Sequence, residues 1–153
     1  MHLYLDQLLT EQSFDLILTY SSPIIKNEKI LDMLSFNLHL GLSRFYRGGI
    51  SNVLALSLNE FNKAGSTCHE LTAKIDDGKA LFEIRDLKFE NFKNIDQMNY
   101  YIIKRSVGKL IEKLNKEDFN TYTIPKGSLV LNRSLTAKTI IEAEKNIKNK
   151  FES

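Results

Sequence analysis

The sequence predicts an α+β fold, with a strongly curved antiparallel β-sheet wrapped on a long α-helix and short N-terminal and C-terminal helices. Three observations support this fold class. Apolar and polar residues alternate over residues 34–42, which is the period of a strand with one buried face. Residues 96–115 carry apolar side chains at spacings of three and four, the period of a helix. The alternation slips by one residue near Arg85-Asp86, which indicates a β-bulge that bends the strand.

Residues 54–58 are predicted as the second strand of the sheet. Leu54, Leu56 and Leu58 alternate there with smaller or polar residues. The preceding Arg47-Gly48-Gly49 has the composition of a turn, so we expect a hairpin between this stretch and residues 34–42.

Two more pairs of short strands follow along the chain. Residues 71–75 and 79–84 flank Asp77-Gly78, which favours a type I′ turn because both central residues need positive φ. Residues 122–124 and 128–132 are separated by a turn that contains Pro125 and Gly127.

The predicted long helix begins at Asp96, an acceptable N-cap residue. Its apolar face is expected to consist of Tyr100, Ile103, Val107, Leu110, Ile111 and Leu114. Short helices are predicted over residues 2–13 and after an N-cap at Ser134 or Thr136. The apolar face of the last helix would contain Ile140, Ala143, Ile147 and Phe151.

The composition is that of one folded domain spanning residues 1–153. A hydrophobic fraction of 42% with 26% charged residues argues against disorder. Residues 1–92 hold nine Lys and Arg against twelve Asp and Glu, while residues 93–153 hold twelve against seven. The basic residues of the second half are mixed with carboxylates, so we interpret them as solvated helix faces and predict no specific binding of nucleic acid.

Cysteine content and hydropathy limit the cellular context. Cys68 is the single cysteine, which excludes an internal disulfide and a zinc site built from cysteines. No run of about 18 uncharged apolar residues exists, which excludes a transmembrane helix. Residues 1–9 lack the basic start of a signal peptide. A chain trimmed of its signal would look the same, so the compartment stays open.

The histidines form no recognisable catalytic pattern. His39 lies on the polar side of residues 34–42, beside Asn37, where a solvent-facing or hydrogen-bonded residue is expected rather than a base. In Cys68-His69-Glu70, neighbouring side chains would point to opposite faces of a strand. Further ligands at metal-binding spacing are missing. The sequence therefore predicts no catalytic residue, no metal site and no cofactor.

One part of the chain resembles a known family. The segment GKALFEIRDLKFENF, the helix QMNYYIIKRSVGKLIEKL, the strand FNTYTI and the strand GSLVL follow one another in an order that resembles the YceB-like lipoproteins. These belong to the tubular lipid-binding (TULIP) superfamily, and the resemblance covers roughly residues 34–132. It implies an elongated apolar cavity for acyl chains between sheet and helix. It also implies peripheral membrane association, with a periplasmic or membrane-associated location if a signal was trimmed and a cytoplasmic one otherwise.

The sequence therefore predicts a non-enzymatic binding protein that holds a lipid or another long apolar molecule. Eight side chains are predicted to bind this ligand: Leu38, Leu40, Leu56, Leu58, Phe82, Ile84, Ile103 and Val107. The alternative is an α+β partner-binding module, such as an immunity or accessory protein, which would bind a protein partner through its surface. A basic nucleic-acid-binding domain ranks third, and an enzyme ranks last.

Overall fold

A computed structural model describes residues 14–153 of the chain. The helix predicted for residues 2–13 lies outside the described residues. Within them the structure is α+β, as predicted. The strands are β1 (Ile17–Tyr20), β2 (Ser35–His39), β3 (Tyr46–Arg47), β4 (Ser66–Glu70), β5 (Ala80–Ile84) and β6 (Ser128–Leu129). The α-helices are α1 (Glu28–Leu31), α2 (Ser51–Ser57), α3 (Ile95–Asn115) and α4 (Ala137–Phe151).

The main sheet is mixed, and the prediction of an antiparallel sheet is wrong in this respect. Its strand order is β1-β2-β4-β5. Strand β1 is parallel to β2, whereas the β2–β4 and β4–β5 pairs are antiparallel. The connection from β1 to β2 contains α1 and is long enough for the crossover that parallel strands require. The short strands β3 and β6 form a separate parallel pair.

The clearest strand pattern is confirmed, and the stretch after it is helical. Strand β2 lies within the predicted strand at residues 34–42. The predicted strand at residues 54–58 is wrong, because most of this stretch belongs to α2. Ala55 and Leu56 are adjacent in sequence and both fully buried, which a strand with one buried face would not allow. Ala and Leu prefer helices, and three alternating leucines are too few to outweigh that preference.

The connection between β4 and β5 is a loop over residues 71–79 and not a tight hairpin. Strand β4 precedes the predicted strand at residues 71–75. The predicted type I′ turn at Asp77-Gly78 is wrong, since the residue with positive φ in this loop is Asp76. Gly78 is required for a different reason: a Cβ atom there would overlap the carbonyl oxygen of Glu70.

The irregularity of the sheet lies on β4. The register of the β4–β5 pair shifts between Cys68 and His69, and not near Arg85-Asp86 as predicted. Strand β5 ends at Ile84, and Asp86 follows with a φ of 56°. The slip in the apolar pattern therefore marks the end of a strand, where the chain turns.

Helix α3 confirms the predicted long helix. Its N-cap is Asn94, whose side-chain oxygen accepts a hydrogen bond from the Gln97 amide at 2.9 Å, while Asp96 lies in the first turn. The buried face differs from the predicted one. It consists of Ile95, Met98, Ile102, Ser106 and Leu110. Helix α3 contacts β4, β5 and α4, and the predicted wrapping of the sheet around it is not confirmed.

The C-terminal helix is also confirmed. Helix α4 begins after Thr136, whose hydroxyl accepts a hydrogen bond from the Thr139 amide at 3.1 Å. The strand predicted at residues 122–124 is reduced to a single antiparallel bridge between Tyr122 and Ala80. None of the helices in the described part of the chain is long and apolar enough to cross a membrane.

Two clusters of buried apolar side chains stabilise this arrangement. The helical cluster joins α2, α3 and α4 and includes Leu56, Ile102 and Ile147. The sheet cluster joins β2, β4 and β5 to α3. It consists of Phe36, Leu38, Cys68, Leu81, Phe82, Ile84 and Leu110. Each fully buried side chain of this size contributes about 1.5–3 kcal/mol. Because the sheet cluster covers one face of β2 and β4, the alternate side chains of these strands project from the other face.

Candidate active site

Polar side chains meet on the face of the main sheet opposite the sheet cluster. Asn37 and His39 are two residues apart on β2 and therefore share this face. In the antiparallel register His69 of β4 lies opposite Asn37, which brings it to the same face. Asn37 Nδ2 lies 3.2 Å from His69 Nε2. Because β2 and β4 are the two central strands, hydrogen-bonded neighbours hold these groups on both sides.

Asp76, in the loop after β4, completes this group of side chains, which we name the polar cluster (Asn37, His39, His69 and Asp76). Its φ of 45° is a left-handed conformation that Asp adopts more readily than most residues. Asp76 Oδ1 lies 3.2 Å from both Asn37 Nδ2 and His69 Nε2. Asp76 Oδ2 lies 3.3 Å from His39 Nδ1. One carboxylate therefore contacts all three polar side chains of the sheet face.

Gly48, directly after β3, supplies a backbone donor to the polar cluster. Its N–H donates to Asp76 Oδ2 at 2.7 Å. The residue has a φ of 103°, and a Cβ atom there would overlap the carbonyl oxygen of Val130. Any other residue at this position would be strained and would clash. The predicted hairpin turn at Arg47-Gly48-Gly49 is therefore wrong, and this segment holds the Asp76 carboxylate in place.

Hydrogen bonds orient Asn37 and His69. The Thr19 hydroxyl donates to Asn37 Oδ1 at 2.9 Å, so that the Nδ2 group faces Asp76 and His69. His69 Nδ1 lies 2.8 Å from the carbonyl oxygen of Glu70. Since a carbonyl oxygen only accepts hydrogen bonds, His69 Nδ1 carries a hydrogen. His69 Nε2 faces both Asn37 Nδ2 and Asp76 Oδ1 at 3.2 Å, and it donates to Asp76 when it carries a hydrogen.

The protonation of His39 follows from its burial and from its contact with Asp76. The side chain is 7% exposed. Burial lowers the pKa of His39, the Asp76 carboxylate opposes this effect, and His69 adds to it. His39 is therefore neutral at pH 7. Its Nδ1 faces a carboxylate and its Nε2 lies 3.4 Å from the Tyr46 carbonyl oxygen. Both partners are acceptors, so each ring nitrogen faces one of them when the imidazole is protonated.

Asp76 remains ionised although it is buried. Burial alone would raise the pKa of its carboxyl group. The hydrogen bond with His69, the charge interaction with His39 and the N–H of Gly48 outweigh burial and lower this pKa below the ordinary value. At neutral pH the polar cluster thus contains a carboxylate that is able to stabilise a positive charge on either imidazole.

The polar cluster lines a cleft of about 460 Å³, which is within the usual range of about 300–1,000 Å³ for pockets that bind small organic molecules. Apolar side chains complete the lining. They come from the segments after β1, β4 and β6: Ile24, Ile25, Leu71, Ile75, Val130 and Leu131. The cleft therefore suits a ligand with a large apolar surface and a polar reactive group.

The polar cluster contains the groups that acyl transfer requires. The neutral His39 imidazole can accept the proton that an attacking nucleophile loses, and the Asp76 carboxylate, 3.3 Å from its Nδ1, stabilises the imidazolium that results. Asn37 Nδ2 has two hydrogens, and the one that does not donate to Asp76 Oδ1 can donate to a carbonyl oxygen that becomes negative during the attack. Among residues 14–153, no group of three or more His, Cys, Asp and Glu side chains is placed to hold a metal ion.

The eight side chains predicted to bind a ligand are spread over different parts of the molecule. One lines the cleft, four belong to the core, and three are exposed or half-buried. In the cleft is Leu40, in the core are Leu38, Leu56, Phe82 and Ile84, and nearer to the surface are Leu58, Ile103 and Val107.

Sequence reasoning missed the polar cluster, although one signal for it was present. The sequence predicts a solvent-facing or hydrogen-bonded His39, and the structure confirms the hydrogen-bonded alternative. An Asn-x-His pattern on the most regular strand was that signal, because a central strand is covered on both faces and its polar side chains then need partners. Asp76 gave no signal of its own. Next to Asp77-Gly78 it has the composition of a turn.

No family model matches the sequence, and no curated protein matches it in a sequence comparison. Solved structures do match. The formyltransferase PseJ from Anoxybacillus kamchatkensis, in complex with UDP-4,6-dideoxy-4-formamido-L-AltNAc and tetrahydrofolate, has a TM-score of 0.69 at 16% identity, over 90% of this chain and 79% of its own. A 4-N formyltransferase from Francisella tularensis has a TM-score of 0.69 at 19% identity, over 92% of this chain and 63% of its own. An N-formyltransferase from Helicobacter canadensis, in complex with folinic acid and dTDP-3-aminofucose, has a TM-score of 0.61 at 17% identity, over 83% of this chain and 52% of its own.

These neighbours correct the functional predictions made from the sequence. The resemblance to YceB-like lipoproteins and the TULIP superfamily is wrong, because the fold is that of a different group of proteins. The neighbours are enzymes, which contradicts the prediction of a non-enzymatic binding protein. Their complexes contain folates and nucleotide-linked sugars, which contradicts a lipid or apolar ligand and the membrane association inferred from it. Strands followed by a long helix are common to many α+β folds, so feature order alone was misleading. At this level of identity the likeness establishes the fold: the chain has the fold of N-formyltransferases.

Proposed function

We propose that this protein transfers a formyl group from a folate to the amino group of a nucleotide-linked sugar. The observation that carries the proposal is the contact of Asn37 and His39 with Asp76 in the cleft of a chain with the N-formyltransferase fold. The neighbours support the substrate class. One was solved with tetrahydrofolate and a formamido sugar, and another with folinic acid and an amino sugar.

The lining of the cleft fits both reactants in chemical terms. The apolar side chains of Ile24, Leu71 and Ile75 are suited to hold the heterocycle of a folate. A bound formyl-folate would supply the activated formyl group. The polar cluster is suited to hold an amine, since the neutral His39 imidazole lies beside the ionised Asp76, with 3.3 Å between Nδ1 and Oδ2. Both reactants would then meet next to the same imidazole.

The roles of the residues follow from the hydrogen bonds of the polar cluster. As the amine attacks the formyl carbon, the His39 imidazole accepts the proton that the amine loses, and Asp76, 3.3 Å from Nδ1, stabilises the resulting charge. The Asn37 carboxamide donates to the formyl oxygen while that oxygen is negative. When the bond from the formyl carbon to the leaving nitrogen breaks, the imidazolium returns its proton to that nitrogen. Charge and protons therefore balance over the reaction.

The test is a transfer assay with purified protein, a formyl-tetrahydrofolate and a panel of nucleotide-linked amino sugars. Mass spectrometry should show an acceptor that gains one carbonyl group. His39→Asn and Asn37→Ala should each lower the rate by about 10²-fold or more. Asn120→Ala, at an exposed asparagine outside the cleft, should keep the wild-type rate.

Two results would contradict the proposal. Wild-type protein that binds neither tetrahydrofolate nor any of the amino sugars would exclude the substrate class. A wild-type transfer rate in His39→Asn would show that His39 is not the base, whatever the substrate.

A further inference from the structure

A second cavity, of about 230 Å³, lies beside the cleft and shares Asp76 with it. Its lining includes Ser43, Arg47, Asp77, Thr123, Pro125 and Lys126. The proposed formyl transfer does not use these residues apart from Asp76. The second cavity is smaller than a usual ligand pocket and matches one small chemical group.

Ser43 is the first reason to expect a ligand there. The residue is 2% exposed, and its hydroxyl has no hydrogen-bond partner within the part of the chain that the structure describes. Its backbone groups are already paired: the N–H donates to Thr67 Oγ1 and the carbonyl oxygen accepts from the Gly127 N–H, both at 3.0 Å. Buried hydroxyl groups are nearly always paired, and Ser43 is one of the residues that line the second cavity, so a ligand there is a candidate partner for this hydroxyl.

The second reason is an excess of hydrogen-bond donors. Arg47 Nε donates to the Gly127 carbonyl at 3.0 Å and Nη1 donates to Asp77 Oδ1 at 2.9 Å. Lys126 Nζ donates to Asp77 Oδ2 at 2.9 Å. A guanidinium group has five N–H donors and an ammonium group has three, so both side chains retain donors for a ligand. Both oxygens of Asp77 are already engaged, which leaves a site rich in donors and poor in acceptors.

We propose that the second cavity binds a small oxyanion, a phosphate or carboxylate group, through the Ser43 hydroxyl, Arg47 and Lys126. The two positive charges of Arg47 and Lys126 exceed the single negative charge of Asp77. The carboxylate of Asp76 already contacts His39, His69 and the Gly48 N–H. An oxyanion has only acceptors, which matches the donors of this site, and a guanidinium fork binds such groups well. The proposal does not depend on formyl transfer. If that function holds, the anion is either the phosphoryl part of the acceptor or a carboxylate of the folate.

The experiment uses the purified protein and inorganic phosphate, with sodium chloride at equal ionic strength as the control for screening. Amide NMR spectra should show saturable shifts at Ser43, Arg47 and Lys126, and phosphate should raise the melting temperature. Ser43→Ala and Arg47→Lys should each bind phosphate about tenfold more weakly. Lys138→Ala, at an exposed lysine of α4 that lines neither cavity, should bind phosphate as the wild type does.

The stability of Ser43→Ala in the absence of phosphate shows whether the Ser43 hydroxyl awaits a ligand or is already paired with a water molecule. Ser43→Ala should be as stable as the wild type or more stable, because it removes an unpaired hydroxyl group. A Ser43→Ala variant that is less stable, together with a wild type that does not respond to phosphate, would overturn the proposal. Equal phosphate binding by the wild type, Ser43→Ala and Arg47→Lys would also overturn it. Displacement of phosphate by a nucleoside diphosphate would identify the acceptor as the source of the anion, and displacement by tetrahydrofolate would identify the donor.

Discussion

Replacement of Asp76 by asparagine tests the polar cluster most directly. The carboxylate accepts a hydrogen bond from the Gly48 N–H at 2.7 Å and lies 3.3 Å from His39 Nδ1, and its other oxygen accepts from Asn37 Nδ2 at 3.2 Å. A carboxamide keeps the shape but turns an N–H₂ group toward at least one of these donors. A hydrogen bond to a charged group is worth about 1.5–3 kcal/mol. We therefore expect Asp76→Asn to lower the free energy of unfolding by about 2–4 kcal/mol.

The same change should reduce the transfer rate by about 10²–10⁴-fold. Without the carboxylate, the His39 imidazolium loses its counter-charge. Urea unfolding and the transfer assay would measure the two effects. Asp96→Asn is a matched control, since Asp96 is exposed in the first turn of α3 and its loss should cost about 0.3–1 kcal/mol. If Asp76→Asn were as stable as this control and as active as the wild type, the reasoning about the polar cluster would be refuted.

The pH dependence of stability provides a second readout for Asp76. Its pKa is lowered in the folded protein. The stabilisation from this carboxylate is therefore complete above the unfolded pKa of about 3.9 and is lost as the pH falls through the folded value. The difference in stability between the wild type and Asp76→Asn should consequently narrow at acid pH. A difference that stays constant down to the acid unfolding of the protein would contradict a lowered pKa.

Four other substitutions, of which Leu58→Ala is a control, test the fold and the protonation of His39. Leu56→Ala should lower the free energy of unfolding by about 2–5 kcal/mol, whereas Leu58→Ala, at a side chain that is 55% exposed, should change it by less than about 0.5 kcal/mol. Equal losses in urea unfolding would favour a strand over α2. Gly78→Val should cost about 1–3 kcal/mol, because its Cβ atom would overlap the Glu70 carbonyl oxygen, and an unchanged melting temperature would disprove this contact. Burial lowers the pKa of His39, so the wild type should lose stability as the pH falls below the unfolded value of about 6.5. His39→Asn should flatten this decline in thermal unfolding, and an unaltered profile would assign the decline to other groups.

Local periodicity predicted the elements whose apolar side chains all lie on one face. It was less informative for a helix that carries two apolar faces, because only one of them is buried in the core. Strand β2 and helices α3 and α4 follow from patterns in the sequence. On α3, however, Ile103 and Val107 follow one helical stripe, and Ile102 and Leu110 follow another. Both stripes have helical spacing, and which of them is buried depends on where β4, β5 and α4 lie. That choice is made by tertiary contacts, which a single sequence does not report.

The polar cluster could be predicted only in part for a similar reason. Asn37 and His39 share a face because of a local rule, and their residue types were visible from the sequence. The contact between Asn37 and Asp76 joins residues 39 positions apart, and no spacing rule connects a strand to a loop at that distance. The parallel β1–β2 pair was missed in the same way, since strand direction depends on a crossover and not on the alternation within either strand.

Strand β2 ties the stability of the fold to the geometry of the polar cluster. Phe36 and Leu38 lie on its inner face in the sheet cluster, while Asn37 and His39 project into the cleft from the other face. A slip of one residue against β4 would exchange these two sets of side chains. It would expose two large apolar groups and bury a carboxamide and an imidazole without partners. Both changes would lower the free energy of unfolding. The burial of Phe36 and Leu38 therefore selects the one register in which His39 meets Asp76, so that the sheet cluster also positions the proposed base.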